Sequence, residues 1–476
     1  MSKFASLGKP LAVAATVLGL AIVLARIGWL VDERQRYQDE AVQSVMQSHA
    51  AAQTLLGPVL QRHCTEEWQV AVGEGKSQRL ESMRRDIKLG ATASQLVVDS
   101  DSQSDTRYRG LFRVNGYQAK LVIQAQWTDL SVLRASPAVS GRKVVCEPTK
   151  LWFATTDVRG LRTAQVQMLG ANPGVPLVVR PGTGRQEYPD GFHAELPGFS
   201  QDGSLPDAPL ALRLELQLVG TAQLALVPAA EAVQWSLRSD WPHPSFGGRF
   251  LPSQREVGDH GFSATWAVSA LASSAARETL SGAALCTRPL HTESASHVGA
   301  QAGGDTNGKP CLDTLSVSFI DPVNAYTLSD RAIKYGLLFV LLTFAAVGLV
   351  EALARERVRQ VHPVQYALVG LALSVFFLLL LSLSEHLAFA QAYIGASAAV
   401  VLLLGVYARH MLGGLRDGIL FAAGITLLYG LLYLLLLQEQ TALLIGSMGL
   451  FAALAGVMLL TRRLDWYRLG VSGPKA

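Results

Sequence analysis

The sequence predicts an α+β membrane protein: a six-helix transmembrane bundle, one N-terminal anchor plus five C-terminal helices, with a large β-rich extracytoplasmic domain inserted between helices 1 and 2. Three observations carry this reading. Half of the 476 residues are hydrophobic and only 16% are charged, with a mean hydropathy of +0.26. The apolar residues are not spread evenly: residues 334–461 are almost all Leu, Ala, Val, Gly and Phe, whereas residues 32–330 have a water-soluble composition. Within that long polar stretch the pattern alternates with a period of two, the mark of half-buried strands.

A bilayer core needs about 20 apolar helical residues to cross it. The first such run is Pro10 to Val31. Its apolar part is too long for a cleaved signal peptide and no small-residue cleavage motif follows Trp29 and Leu30, so it reads as an uncleaved signal anchor. The other spans lie near Lys334–Leu353, Val364–Ser384, Tyr393–Tyr407, Gly418–Leu437 and Thr441–Thr461. The expected domains are therefore 1–31 (anchor), 32–330 (extracytoplasmic), 331–463 (five-helix region) and 464–476 (cytoplasmic tail).

Lys and Arg in short loops report the cytoplasmic side. Lys3 and Lys9 precede the first span; Arg355, Arg357 and Arg359 separate the second and third. Arg409 and Arg416 separate the fourth and fifth, and Arg462, Arg463 and Arg468 follow the sixth. The intervening loops EHLAFAQ and QEQ hold no Lys or Arg. Strict alternation then puts both termini in the cytoplasm and residues 32–330 outside. The net charge of +4 belongs to these span ends. No basic-aromatic stripe of the kind nucleic acid needs is present.

After the anchor, a polar helix is expected to continue until Pro58 ends it. In NGYQAKLVIQAQW, Tyr117, Ala119, Leu121, Ile123, Ala125 and Trp127 share one face. In ALRLELQLVG, Leu212, Leu214, Leu216 and Leu218 alternate with Arg213, Glu215 and Gln217, and Gly220 is expected to turn the chain. FSATWAVS and LSVSFI repeat the pattern, so a β-sheet or sandwich is expected. All four cysteines lie in this domain. An even number on the oxidising side implies disulfides. The polar, glycine-rich segment between Cys286 and Cys311 needs a staple, so these two are expected to pair, leaving Cys64 with Cys146. A zinc site lacks a close Cys-x-x-Cys pair.

Chemistry is harder to find. A Gly-x-Ser-x-Gly elbow, a Ser-x-x-Lys pair, a phosphate loop and a His-Glu-x-x-His helix are all missing. Asp99, Asp101 and Asp105 lack the glycine and glutamate of a calcium loop and read as a solvated loop. His291 and His297 read as surface residues. The spans hold no mid-membrane charges of the kind pumps use. Glu351 sits at the inner end of the second span. Glu385 and His386, at the outer end of the third, read as an interfacial anchor, with a proton- or metal-sensitive contact as the sharper alternative. Gly449 and Ala453 have small-xxx-small spacing, a packing signal. In SDWPHPSFGGRF, prolines on both sides of His243 restrict the backbone, and Gly247 and Gly248 permit a bend. Neither Pro242 nor Pro244 can donate to a sheet, so a central strand is excluded. The stretch reads as a rigid corner anchored by Trp241 and Phe246, and as the best place to look for a binding contact.

SDWPHPSFGGRFLPSQREV, LSDRAIKY, HPVQYALVGLALSVFFLLLLSLSEH and LDWY, with LLGPVL and RYRGLFRVNGY fitting more loosely, resemble the hallmarks of the CreD family of bacterial inner-membrane proteins. The resemblance runs over most of the chain. It implies an inner-membrane protein tied to envelope integrity and stress response and to tolerance of certain colicins, with no established enzymatic activity. No catalytic residue, cofactor or metal carries over. The Cys286–Cys311 insert is longer than that family's usual connection. The candidate binding or structural residues are Trp241, Pro242, His243, Pro244, Phe246, Asp330, Arg331, Glu385 and His386. The leading expectation is a non-enzymatic envelope protein whose outward domain binds an envelope component or a protein partner. A transporter or lipid-handling protein gated by that domain is the alternative, and a periplasmic hydrolase on His243, Glu256 or Asp240 comes third.

Overall fold

The computed structural model describes residues 2–72, 79–170, 175–199, 205–206, 208–286, 310–319, 324–353, 361–412, 414–438 and 442–462. The basic loop with Arg355, Arg357 and Arg359, the histidines 291 and 297, and Arg463, Arg468 and LDWY lie outside these residues, as do the side chains of Lys3 and Ala453. The chain divides into two compact units, Met1–Asp39 with Val323–Ala476, and Glu40–Pro322. It is a mixed α+β fold.

The first unit is helical; the short helix α2 (Ala275–Ser281) belongs to the second. Helix α1 (Ser2–Ser48) is continuous over 47 residues, about 70 Å at the α-helical rise. It ends ten positions before Pro58, at His49–Ala52, where Arg159 takes its last carbonyls. Leu20, Leu24, Ile27 and Val31 form its buried stripe. Gly370 lets that stripe close, since a Cβ there would stand 2.1 Å from Leu20 Cδ1. The second span begins earlier than its apolar run. Helix α3 (Ala325–Lys334) is amphipathic, capped by the Asn324 side chain accepting from Tyr326 N, and meets α4 (Gly336–Leu353) at a 43° bend. The sequence hides it because the half-buried Asp330 and Arg331 interrupt the hydropathy while suiting the polar side of an amphipathic helix.

Helix α5 (Pro363–Ser384) starts with a capping box: His362 Nδ1 accepts from Val364 N, Gln365 Oε1 accepts from His362 N, and Pro363 needs no partner in the first turn. This gives HPVQ a local physical reason. Helices α6 (Phe389–Leu412), α7 (Leu415–Leu437) and α8 (Ala442–Thr461) follow. Among the described residues, four helices are long and apolar enough to cross a membrane, five if the bent α3–α4 pair counts as one span. The apolar part of α8, Gly446–Leu459, is shorter.

Among its described residues, the second unit holds sixteen strands in two sheets joined by one strand, β2 (Arg79–Arg109). The first half of β2 pairs with β1 (Gln53–Val72); the second half pairs with β3 (Phe112–Trp127) and, in parallel, with β12 (Ala230–Ser239). Beyond β3 lie β10 (Leu210–Thr221), β6 (Leu161–Leu169) and β7 (Val175–Leu177). Beyond β12 lie β15 (Gly261–Ser269) and β14 (Gln254–Gly258). On the other side, β1 pairs with β4 (Lys143–Cys146), β5 (Lys150–Thr155) and β11 (Gln223–Leu226). Strand β9 (Gly191–Glu195) pairs with β5 and carries β8 (Val179–Pro181). Strand β11 carries β16 (Leu315–Phe319), which carries β13 (Pro244–Gly248) at the edge.

One apolar core draws on both sheets, with Trp235 stacked on Trp266 at 4.5 Å. The alternating residues of β3 and β10 are buried in it as their pattern requires. Two local expectations change. Gly220 stays inside β10, because a Cβ there would stand 2.3 Å from the Tyr117 hydroxyl, and the bend falls on Ala222 with φ 69°. The Asp99–Asp105 stretch is no loop but the middle of β2: Ser100 and Ser102 are buried between exposed Asp99 and Asp101, and Ser100 Oγ accepts from the Trp235 indole at 2.9 Å. Both expected disulfides are present, Cys64–Cys146 and Cys286–Cys311.

Candidate functional site

The corner begins where β12 ends. Asp240 accepts from Ser104 N at 2.7 Å and Ser104 Oγ at 2.9 Å, fixing the turn to β2. Trp241 is 5% exposed and its indole N–H donates to the His243 carbonyl at 2.9 Å. Its ring meets Phe319 edge-on. Pro242 is half-buried, while His243 is exposed and its ring has no hydrogen-bond partner among the described residues. Pro244 opens β13, an edge strand, where its missing N–H is tolerated. Phe246 packs edge-on against Phe262 and Trp266. The stretch is therefore a corner that continues into an edge strand.

That strand aims at a cavity. Gly248 has φ 85°, and a Cβ there would stand 2.1 Å from the Thr314 carbonyl. The next residue, Arg249, donates from its backbone N to that carbonyl and reaches Asp313 with its guanidinium at 3.3 Å. Together with Thr54, Gln223, Glu278, Ser316 and the Cys286–Cys311 disulfide, they line a cavity of about 430 Å³. Asp313 also accepts from Ser273 Oγ, and Glu278 from Ser274 Oγ at 2.6 Å. Gln223 is 8% exposed, and its side-chain carbonyl is buried with no hydrogen-bond partner among the described residues. Sequence reasoning paired Cys286 with Cys311 but missed Thr54, Gln223, Arg249, Glu278, Asp313 and Ser316; the lining comes from six separate segments. The only signal was the double glycine before Arg249.

A second polar cluster fixes the end of α1. Arg159 donates to the carbonyls of Met46 and Gln47, and Asp157 accepts from Ala51 N at 2.9 Å and from the Arg159 guanidinium at 2.7 Å. Burial works against the Asp157 charge, but these hydrogen bonds outweigh it and hold its carboxyl below the usual range. His49 lies nearby, and burial followed by the charges of Arg107 and Arg162 pushes its imidazole below the ordinary value.

The remaining candidates belong to the helical unit. Glu385 Oε1 lies 3.5 Å from Arg34 Nε and accepts from the Tyr326 hydroxyl at 3.4 Å. This ties α1, α3 and the end of α5 together. His386 is exposed and takes no part beyond its backbone. Asp330 pairs with Lys334 at 2.7 Å, one turn along α3, and Arg331 is half-buried on the same helix. At the other end of α1, Lys9 is ion-paired with Glu351, which also accepts from the Tyr366 hydroxyl. The structure brings Glu385 to α1 but does not gather it with His386, Asp330 and Arg331 into one site. No cluster of three or more His, Cys, Asp or Glu suited to a metal occurs among the described residues.

Comparison with known proteins bears on what this architecture is. Residues 5–467 match the family model described as Inner membrane protein CreD. The chain belongs to the CreD family. It is 32% identical to the inner membrane protein CreD of Escherichia coli (strain K12) over 462 residues, covering 97% of this chain and 93% of that one. The match to the CreD family model takes in both units, so the corner, the cavity residues and the α1 contacts all lie within it.

Proposed function

We propose that this chain supports cell envelope integrity as a non-catalytic inner-membrane binding or scaffold protein. Its β-rich unit works outside the cytoplasm, on six spans with both termini inside. The observation that supports this reading is the polar cavity beside Arg249, lined also by Thr54, Gln223, Glu278, Asp313 and Ser316. It is a hydrogen-bonding pocket: the hydroxyls of Thr54 and Ser316 and the Arg249–Asp313 pair line it, which suits recognition of a polar group. The basic loops of the sequence support the topology.

The test is a photo-crosslinking residue at Arg249 in intact cells, with the trapped species identified. Recovery of one reproducible envelope component, lost in Gln223→Leu, supports the reading; labelling that is unchanged by Gln223→Leu refutes it. For the topology, a reporter near residue 200 should work only outside the cytoplasm and one near residue 358 only inside. Lipid handling is the second reading, favoured by an apolar groove of about 310 Å³ between α5 and α6, lined by Leu368, Leu371, Val375 and Leu403. Substrate-dependent flux in liposomes would move it to first place.

A further inference from the structure

The sheet under the cavity carries a row of small residues. In register across four strands lie Gly247 of β13, Ser316 of β16, Ala225 of β11 and Thr54 of β1. The last three line the cavity, and Gly247 continues the row to the edge of the sheet. The residues on either side, Leu315, Val317, Leu224 and Leu226, are turned into the core. Alternation therefore puts the row on the opposite face. With strands about 4.8 Å apart it runs roughly 14 Å, a floor of glycine, alanine and hydroxyls.

Strand β13 ends this floor with an open side. The bond from Arg249 N to Thr314 O fixes which of its backbone groups face inward. Antiparallel partners alternate between bonded and non-bonded pairs, so Ser245, Gly247 and Arg249 turn their N–H and C=O to β16. Phe246 and Gly248 turn both groups the other way, and Pro244 turns its C=O. Among the described residues no strand pairs with that side. Such an edge is a template for another chain. Pro244 blunts one end of it, but at the other end Gly247 and Gly248 place no side chain in the way. That bare end opens on the cavity, which Gly248 and Arg249 line. Its described lining holds two carboxylates, Asp313 and Glu278, against one guanidinium. Arg249 and Ser273 Oγ already engage Asp313. Glu278 accepts from Ser274 Oγ and has no ion pair among the described residues.

We propose, on the reading of the cavity as a recognition site, that β13 takes up an extended segment of a partner protein as one more strand, with a lysine or arginine of that segment reaching Glu278. Main-chain bonds to Phe246 and Gly248 supply affinity, and the side-chain pocket at the end of the strand supplies selectivity. The excess of carboxylate in the lining chooses a cation over an anion. A glycan or lipid would use the hydroxyls of the floor but has no backbone ladder to match the alternating groups of β13.

The test offers a library of short random peptides to the purified full chain in detergent. Enriched peptides should share a lysine or arginine at one position. Glu278→Gln should weaken them about fivefold, the worth of one partly exposed ion pair, and unchanged hydrogen exchange in α2 and β16 will show that the fold is intact. N-methylating alternate residues of an enriched peptide should abolish binding for one of the two alternate sets, because that set carries the donors to β13. On binding, the amides of Phe246 and Gly248 should gain protection, while those of Ser245 and Gly247, already bonded to β16, stay as they were. Enrichment without a basic residue, binding that survives both N-methylated sets, or no enrichment at all overturns the proposal. So does a photo-crosslink from Ser245 to residues 287–309 of the same chain. If the crosslinker at Arg249 still traps a glycan or lipid, the cavity remains a recognition site and only the added strand is lost; if it too traps nothing, both readings fall.

Discussion

Replacing Trp241 and His243 in turn separates a corner built for packing from one built for chemistry. Trp241 is 5% exposed, touches Phe319 at the end of β16 and spends its indole N–H on the carbonyl of His243. Trp241→Ala removes a buried aromatic, which costs about 3–5 kcal/mol, and frees the carbonyl that closes the turn. Trp241→Phe keeps most of the bulk and loses only the hydrogen bond, about 1 kcal/mol. His243→Ala removes an exposed ring and should stay within about 0.5 kcal/mol. The assay is hydrogen–deuterium exchange of β13 and β16 in the full chain, because a single melting temperature is ill-defined for two units. The expected order of exposure of β16 is Trp241→Ala, then Trp241→Phe, with His243→Ala like the parent. If His243→Ala opens β16 as far as Trp241→Ala, the corner is not held by the indole and the reasoning fails.

Further expectations follow from other contacts. Gly220→Ala drives a Cβ into the Tyr117 hydroxyl, which donates to Gln223 O at 2.8 Å, so it should destabilise the sheet by about 2–5 kcal/mol; denaturant titration of the purified chain will check this. Removing Cys64–Cys146, with a separation of 82 residues, should cost about 4–5 kcal/mol, and removing Cys286–Cys311, with a separation of 25, about 3–4, on the chain-entropy account; the reverse order in paired Ser variants would count against it. Asp157 and His49 both titrate below their ordinary values, so each adds stability that is complete above its unfolded-state pKa and is lost on acidification. Exchange at Ser48–Thr54 should therefore rise first as the pH falls below about 6.5, from His49, and again below about 4, from Asp157; His49→Ala should erase the first step only. Lys9→Glu should loosen α1 in its bundle, and adding Glu351→Lys should restore protease resistance.

What could be read from the sequence tracks how many faces of an element are buried. Strands β3 and β10 bury one face and carry charge on the other, so their alternation was plain. The opening of β1, Gln53 to Leu60, is buried on both faces: Leu55 and Leu60 enter the main core, while Leu56 and Val59 pack on Trp152. Period two vanishes there, and the segment passed for the end of a helix. The middle of β2 keeps the period but uses serine inside and aspartate outside, so both faces looked solvated. The disulfides were legible because cysteines are few. The cavity was not, because Thr54, Gln223, Arg249 and Asp313 meet only through the tertiary pairing of β1, β11, β13 and β16.

The pairing of β1 also sets a timetable for making the protein. Its first residues, Gln53 to Leu55, lie parallel to Leu224–Leu226, which in turn need β16. β2 likewise waits for β12 as a parallel neighbour. Contacts this distant in sequence form slowly, and their strands stay open to wrong partners until the later ones arrive. For a chain that emerges amino end first, the early closures on β1 are the hairpin with β2 and the pairings with β4 and β5, of which the Cys64–Cys146 link to β4 is covalent. That bond can clasp the long ribbon while most of the sheet is still being synthesised, which makes its absence more damaging to the yield of folded protein than to the finished fold.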